Sequence, residues 1–400
     1  MKRKILFLIH TLQVGGAEKI LVNLVNNMDL NKYDVTVMTV VNTGAFRQEL
    51  NENVKYDSIF KLKLLNKIKS RNSNSNDSTK EKSGNLFSKK SKIKSILSYI
   101  YQFFWRHINI SFIYKIAIKE KYDVEIAFLE GISAKIISHS NNKDSKKISW
   151  IHVDMINERK TEKFFKNINE EKKCYNKFDQ IICVSEVVKN QFVKKYGYDK
   201  NKILVKYNPI NQNEIESKSN EDISVLKNKF TFCTIGRLSS QKGYDRLINI
   251  VSKLNRNGFV FDVWIIGVGA EEGNLKKMIF DLNVENVHFL GYKKNPYPYI
   301  KKADSFVCSS RAEGFSTVVS EAIILEKPVV TTNCSGMEEL LGNNSEYGLV
   351  CDNNEYALYA GMKKFMTDKN LLEHYTKKAS VRKKIFNIKK SVKEIEELIK

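Results

Sequence analysis

Short apolar runs alternate with amphipathic stretches along most of this 400-residue chain. The first run, Ile5 to Ile9, is followed by Gly15-Gly16 and then by Ile20, Leu21, Leu24, Val25 and Met28 on one helical face. That order predicts a strand, a tight turn and a helix. YDVTVMTVV (33–41), YDVEIAFLEG (122–131), KKISWIHVDM (146–155) and FDQIICVSEVV (178–188) read as further strands. In the second half, Thr231 to Ile235 reads as a buried strand closed by Gly236, and from Tyr244 the residues Leu247, Ile248, Val251 and Leu254 recur at helical spacing. FDVWIIGVGAEEGNLKKMI (261–279), VHFLGY (287–292), DSFVCSS (304–310) and EKPVVTTNCSGMEELL (326–341) continue the alternation. The segment from about 381, VRKKIFNIKKSVKEIEELI, reads as a closing helix. Repeated strand–helix order with short connections predicts an α/β fold of doubly wound parallel sheets, whose ligands bind at the carboxyl ends of strands.

Four hundred residues suffice for two domains of about 200 each. Asn208-Pro209 is a turn signal between them. The expected division is 1–207, 208–380 and a tail over 381–400. Hydrophobic content of 42% supports two cores, and four prolines argue against long rigid linkers. The opening MKRKILFLIH is too short in its apolar run, and lacks the small-residue cleavage site, for a signal peptide. Cys174, Cys183, Cys233, Cys308, Cys334 and Cys351 include no C-x-x-C pair. They read as free thiols of a reducing cytosol, with no metal cluster.

The net charge of +22 is uneven: Lys61 to Lys121 carries 15 Lys and Arg against three acids. The polar, low-complexity SRNSNSNDSTKEKSGN (70–85) predicts a disordered insert over about 66–92. Next, KIKSILSYIYQFFWRHINISFIYKIAIK (92–119) mixes aromatics, aliphatics and cations. Arg106, His107 and Asn109 interrupt it, so it makes a poor membrane span. It reads as a surface for anionic lipid headgroups within 86–119, as a pair of core helices, or as both on opposite faces. No nucleic-acid motif accompanies the charge.

The densest chemistry lies in EGFSTVVSE, from Glu313 to Glu321. A helix starting near Ser316 offers free N–H groups to an anion. Glu313 then sits in the loop before it, and Glu321 about five residues in, roughly 7 Å along the axis. An anion between two carboxylates suits a sugar nucleotide, with diphosphate on the helix and sugar and ribose hydroxyls on the two Glu. The plain alternative is a loop charge and a solvated helix position. Arg237 and Lys242, on the loop after the strand at 231–235, suit a diphosphate, or are ordinary surface cations. Gly15-Gly16 lets backbone approach a ligand, or is only a tight turn. His152 ends an apolar strand, where a histidine is by default structural. Gly267-Val268-Gly269 is short of a full G-x-G-x-x-G.

Two Glu separated by seven residues, with Gly314-Phe315-Ser316 after the first, resemble the signature of family 4 retaining glycosyltransferases of GT-B fold. Arg237, Lys242 and the adjoining glycine are similar to the same family's phosphate loop. The resemblance spans nearly the whole chain, strongest over 230–341 and thin over 50–120. It implies two Rossmann-like domains facing a cleft, retention at the anomeric carbon, and no required metal or other cofactor. It assigns the donor, most commonly a UDP-sugar, to Gly16, Arg237, Lys242, Gly314, Phe315, Ser316, Thr317 and Glu321. Glu313 would position the donor sugar, and His152 would act from the acceptor side with Asp154 as the candidate group orienting it. The acceptor implied is a polyprenyl-diphosphate-linked glycan of bacterial capsule or exopolysaccharide assembly. The expected place is the cytoplasmic face of an anionic membrane. A GT-B epimerase or hydrolase, and a non-catalytic module tethered by its basic insert, are the alternatives.

Overall fold

The computed structural model describes residues 1–61, 99–158 and 161–400. The insert expected over about 66–92 lies outside the described residues. Two separate sheets carry the fold, and every strand pairing in them is parallel.

The first sheet holds β1 (Arg3–Ile9), β2 (Tyr33–Val41), β3 (Lys55–Phe60), β4 (Val124–Ala127), β5 (Lys146–Ile151), β6 (Gln180–Cys183) and β7 (Ile203–Val205). Its order is β3-β2-β1-β4-β5-β6-β7. The second holds β8 (Phe230–Ile235), β9 (Phe261–Ile266), β10 (Val287–Gly291), β11 (Ser305–Cys308), β12 (Val329–Thr332) and β13 (Leu349–Cys351), in the order β10-β9-β8-β11-β12-β13. Each order reverses once, beside β1 in the first sheet and beside β8 in the second. A reversal opens a crevice at the carboxyl ends of its two central strands. The Gly15-Gly16 turn follows β1; Arg237 and Lys242 follow β8; Glu313 follows β11.

Strands covered by helices on both faces read as continuous apolar runs, and β1 is buried from Ile5 through Ile9. The reading of 178–188 as one strand is corrected: β6 stops at Cys183, and Ser185 accepts the Val188 N–H at 3.2 Å to cap a helix over Glu186–Tyr196. β3, β7 and β13 had no expectation attached to them. All three are short and lie at or beside sheet edges, where partial exposure blurs the apolar run.

Residues 99–107 are helical, and Asn109 caps a second helix over Ile110–Ala117. The pair is two-faced. Trp105, Ile110, Ile113 and Tyr114 are buried in the first domain, whereas Tyr99, Ile100, Phe103, Phe104, Phe112 and Ile116 are exposed. The buried Lys135 ammonium holds the Trp105 carbonyl at 3.0 Å, fastening the first helix from beneath. No helix among the described residues is long and apolar enough to cross a membrane.

The closing segment is not one helix. The helix Lys369–Arg382 ends, and a second begins at Ile388 and runs to Leu398. That last helix lies against the first domain: Glu396 accepts the Asp29 N–H at 2.8 Å, and Lys206 pairs with Glu394 at 2.9 Å.

Candidate active site

The carboxyl ends of both sheets face one cleft of about 1910 Å³. Its lining includes Gly15, Gly16, Lys19 and His152 from the first domain, and Arg237, Lys242, Glu313, Gly314, Phe315, Thr317 and Glu321 from the second. Ser316 does not reach the lining. It is the residue before the helix Thr317–Ile324, and its buried hydroxyl has no hydrogen-bond partner among the described residues. Among the described residues no side chain caps that helix, which leaves its leading N–H groups available to an anion.

Glu313 is held by two donors. Lys242 Nζ lies 2.6 Å from its Oε1, and Ser310 Oγ donates to the same oxygen at 2.6 Å. Burial opposes the Lys242 charge, but Glu313 outweighs it and raises this lysine above the usual range. The loops that carry the pair are sewn together. Gln241 Nε2 donates to the Ala312 carbonyl at 2.9 Å, and the Arg311 N–H returns to the Gln241 carbonyl at 2.7 Å. Beneath them the buried Arg246 guanidinium donates to the Ser309 carbonyl at 2.6 Å and also to that of Ser310. Gly243 turns with φ +64°, and a side chain there would run into the Ser309 carbonyl.

Glu321 is buried, and its Oε1 receives Lys19 Nζ at 2.5 Å across the cleft. The Tyr297 ring lies 4.7 Å from that ammonium. Burial works against the Lys19 charge, yet Glu321 and Tyr297 overcome it and hold the lysine well above its ordinary range. Arg237 differs from Lys242. It is exposed in the cleft and makes no hydrogen bond or ion pair with the described residues. Its guanidinium sits against Gly15 of the other domain, beside Glu18. Burial raises the Glu18 carboxyl, against the lowering effect of its own N–H and of Arg237.

The two domains touch closely at Gly314. A side chain there would collide with the His152 carbonyl, and Ser185 Oγ donates to the Gly314 carbonyl at 3.3 Å. Phe315 stacks on Tyr207 at 5.2 Å in the segment that crosses between the sheets. The His152 ring packs on Phe128, with centroids 5.0 Å apart, and its Nε2 has no hydrogen-bond partner among the described residues. Burial pushes this imidazole down to about 3, against a raising backbone bond at Phe128, so it is neutral. Asp154 does not orient it. That carboxylate accepts Ser335 Oγ at 2.7 Å, Asn157 Nδ2 at 2.8 Å and the Ile156 N–H at 3.0 Å. Glu130 instead holds the His152 backbone N–H at 3.0 Å.

Sequence reasoning passed over Lys19, Glu18, Tyr297 and His10. Lys19 did carry a signal: a cation in the first turn of a helix opposes the dipole and calls for an acid from elsewhere. His10, just past β1, bonds the Tyr101 hydroxyl at 3.1 Å and lines the cleft. Burial, then Lys163, lowers it to about 4.

Residues 216–382 match the family model for glycosyl transferases group 1, and residues 94–214 match that for glycosyltransferase family 4. The chain belongs to the group 1, family 4 glycosyltransferases. It is 34% identical over 216 residues to a Campylobacter jejuni enzyme, N-acetylgalactosamine-N,N'-diacetylbacillosaminyl-diphospho-undecaprenol 4-alpha-N-acetylgalactosaminyltransferase, covering 53% of this chain and 58% of that one. It is 26% identical over 208 residues to the Staphylococcus aureus capsular polysaccharide biosynthesis glycosyltransferase CapM, covering 48% and 53%. The matched segments thus span only a little over half the length of these curated relatives. Among solved structures, Anabaena HepE in complex with UDP and glucose superposes with a TM-score of 0.73 at 18% identity, covering 99% of both chains. S. aureus TarM gives a TM-score of 0.73 at 15% identity, covering 100% of this chain and 99% of that one. These likenesses establish the GT-B fold. Among the described residues no group of three or more His, Cys, Asp or Glu is placed to hold a metal ion.

Proposed function

We propose that this chain is a retaining glycosyltransferase that moves a sugar from a nucleoside diphosphate sugar, UDP-linked in the first instance, to a lipid-linked glycan. The observation that carries this reading is the convergence of Arg237, the Lys242–Glu313 pair, Glu321 and an uncapped helix start on one wall of the cleft. In it, Arg237, Lys242 and the N–H groups at Thr317 neutralise the diphosphate without calling on a metal. Glu321 takes the ribose hydroxyls and Glu313 the donor-sugar hydroxyls. The bond from the anomeric carbon to the diphosphate oxygen breaks, and the acceptor oxygen bonds to that carbon on the same face. The acceptor's proton passes to an oxygen of the departing phosphate. His152, whose Nε2 has no hydrogen-bond partner among the described residues, hydrogen-bonds the transferred sugar or the acceptor.

The acceptor reading draws on the diphospho-undecaprenol substrate in the C. jejuni relative's name. The outward aromatic face at 99–116 supports a place on an anionic membrane, on its cytoplasmic side. A basic segment with exposed rings binds headgroups by charge and the interface by apolar burial. The test is transfer from UDP-, GDP- and ADP-sugars to polyprenyl-diphosphate-linked glycans, with the product anomer read by NMR. A retained anomer supports the reading; an inverted anomer contradicts it. Sugar release to water alone favours a hydrolase. Donor binding with neither outcome favours the tethered module.

A further inference from the structure

We propose that Lys19 is a positioning residue for the donor's ribose, acting through Glu321. This rests on the donor-site reading above. Glu321 is a buried carboxylate, and a carboxylate has two oxygens to place. Lys19 Nζ takes Oε1 at 2.5 Å, while Oε2 makes no hydrogen bond with the described residues. The free oxygen belongs to a residue that lines the cleft. Fixing one oxygen with a cation leaves the other oriented to accept hydrogen bonds from vicinal hydroxyls. Tyr297 completes the mount: its ring lies 4.7 Å from the ammonium and confines the lysine side chain. The cation comes from the helix Gly16–Asn27 of the first domain and the carboxylate from Thr317–Ile324 of the second. Ribose recognition is therefore a property of the closed cleft, not of the donor-binding domain alone.

A latch that must open before the donor enters would use the same pair, and the two roles predict different binding. The experiment is isothermal titration of the full chain with UDP, GDP and ADP and with their 2′-deoxy counterparts. In the wild type a lost hydrogen bond to a carboxylate weakens the 2′-deoxy form by about 10-fold or more. Positioning predicts that Lys19→Met brings this ratio close to one and that Lys19→Arg restores it. Glu321→Gln lowers the ratio likewise, and adding Lys19→Met to it changes nothing further. An unchanged ratio in Lys19→Met, or equal tightening of both ligands, overturns the proposal. Circular dichroism separates these results from unfolding. If wild type binds the nucleoside diphosphates without discriminating ribose, this inference and the ribose role of Glu321 fail, and the diphosphate site stands. If it binds none, both fail.

Discussion

Lys242 and Glu313 share a 2.6 Å ion pair on the wall of the cleft, with Ser310 donating to the same carboxylate oxygen. The cation assigned to the donor diphosphate thus also steadies the carboxylate assigned to the donor sugar. Removing either partner disturbs both. Glu313→Ala and Lys242→Ala are each expected to lower kcat/KM for transfer by about 100-fold or more. Breaking one side of a largely buried pair also costs about 3–5 kcal/mol, so the melting temperature falls while circular dichroism at 25 °C stays that of the folded chain. Glu313→Gln keeps a hydrogen-bonding group and loses less stability. Near-normal turnover in either alanine variant contradicts the assignment.

Two cleft histidines are held neutral by burial. His152 is lowered to about 3 and His10 to about 4, whereas an unfolded histidine titrates near about 6.5. The unfolded chain therefore binds more protons between those values, and stability is lost as pH falls from about 6.5 toward 3. The double variant His10→Gln/His152→Gln is expected to show a shallower fall in melting temperature between pH 6.5 and 4. A slope equal to or steeper than that of the wild type contradicts the burial account.

Gly314 and Gly16 face the other domain with different clearance. A methyl group at Gly314 meets the His152 backbone, which cannot swing aside, whereas at Gly16 it meets Thr317 Oγ1 at 3.2 Å, a side chain that can turn. Gly314→Ala is expected to wedge the cleft open and reduce transfer by about 100-fold. Gly16→Ala is expected to lose much less. Equal losses, measured as kcat/KM, contradict the close approach at Gly314.

The exposed rings of 99–116 make a separate prediction. Phe103→Ser/Phe104→Ser/Phe112→Ser is expected to weaken flotation with phosphatidylglycerol vesicles by about 10-fold or more, and high salt to weaken the wild type. Salt-insensitive binding, or none to anionic vesicles, removes the membrane from the account.

Legibility followed how local each feature is. β8, β11 and the helix from Tyr244 lie close to the expected limits, because a buried strand writes an unbroken apolar run and an amphipathic helix writes its period. Edge strands such as β3 and β13 write neither. Glu313 stood out through its spacing to Glu321, and Arg237 through its spacing to Lys242, each within one short segment. The Lys19–Glu321 pair did not, since its partners are 302 positions apart and meet only when both sheets are folded. The same applies to the Gly314–His152 contact. Asp154 shows the reverse error: proximity in sequence suggested a partnership that the turn at Ile156 and Asn157 takes for itself.

The central claim is a donor site in which this chain's own cations and helix start meet the diphosphate. Thermal-shift titration with UDP-, GDP- and ADP-sugars, with and without EDTA, tests it most directly. The account predicts stabilisation by one donor class, unchanged by EDTA and lost in Lys242→Ala. Stabilisation that disappears with EDTA, or persists in Lys242→Ala, contradicts it.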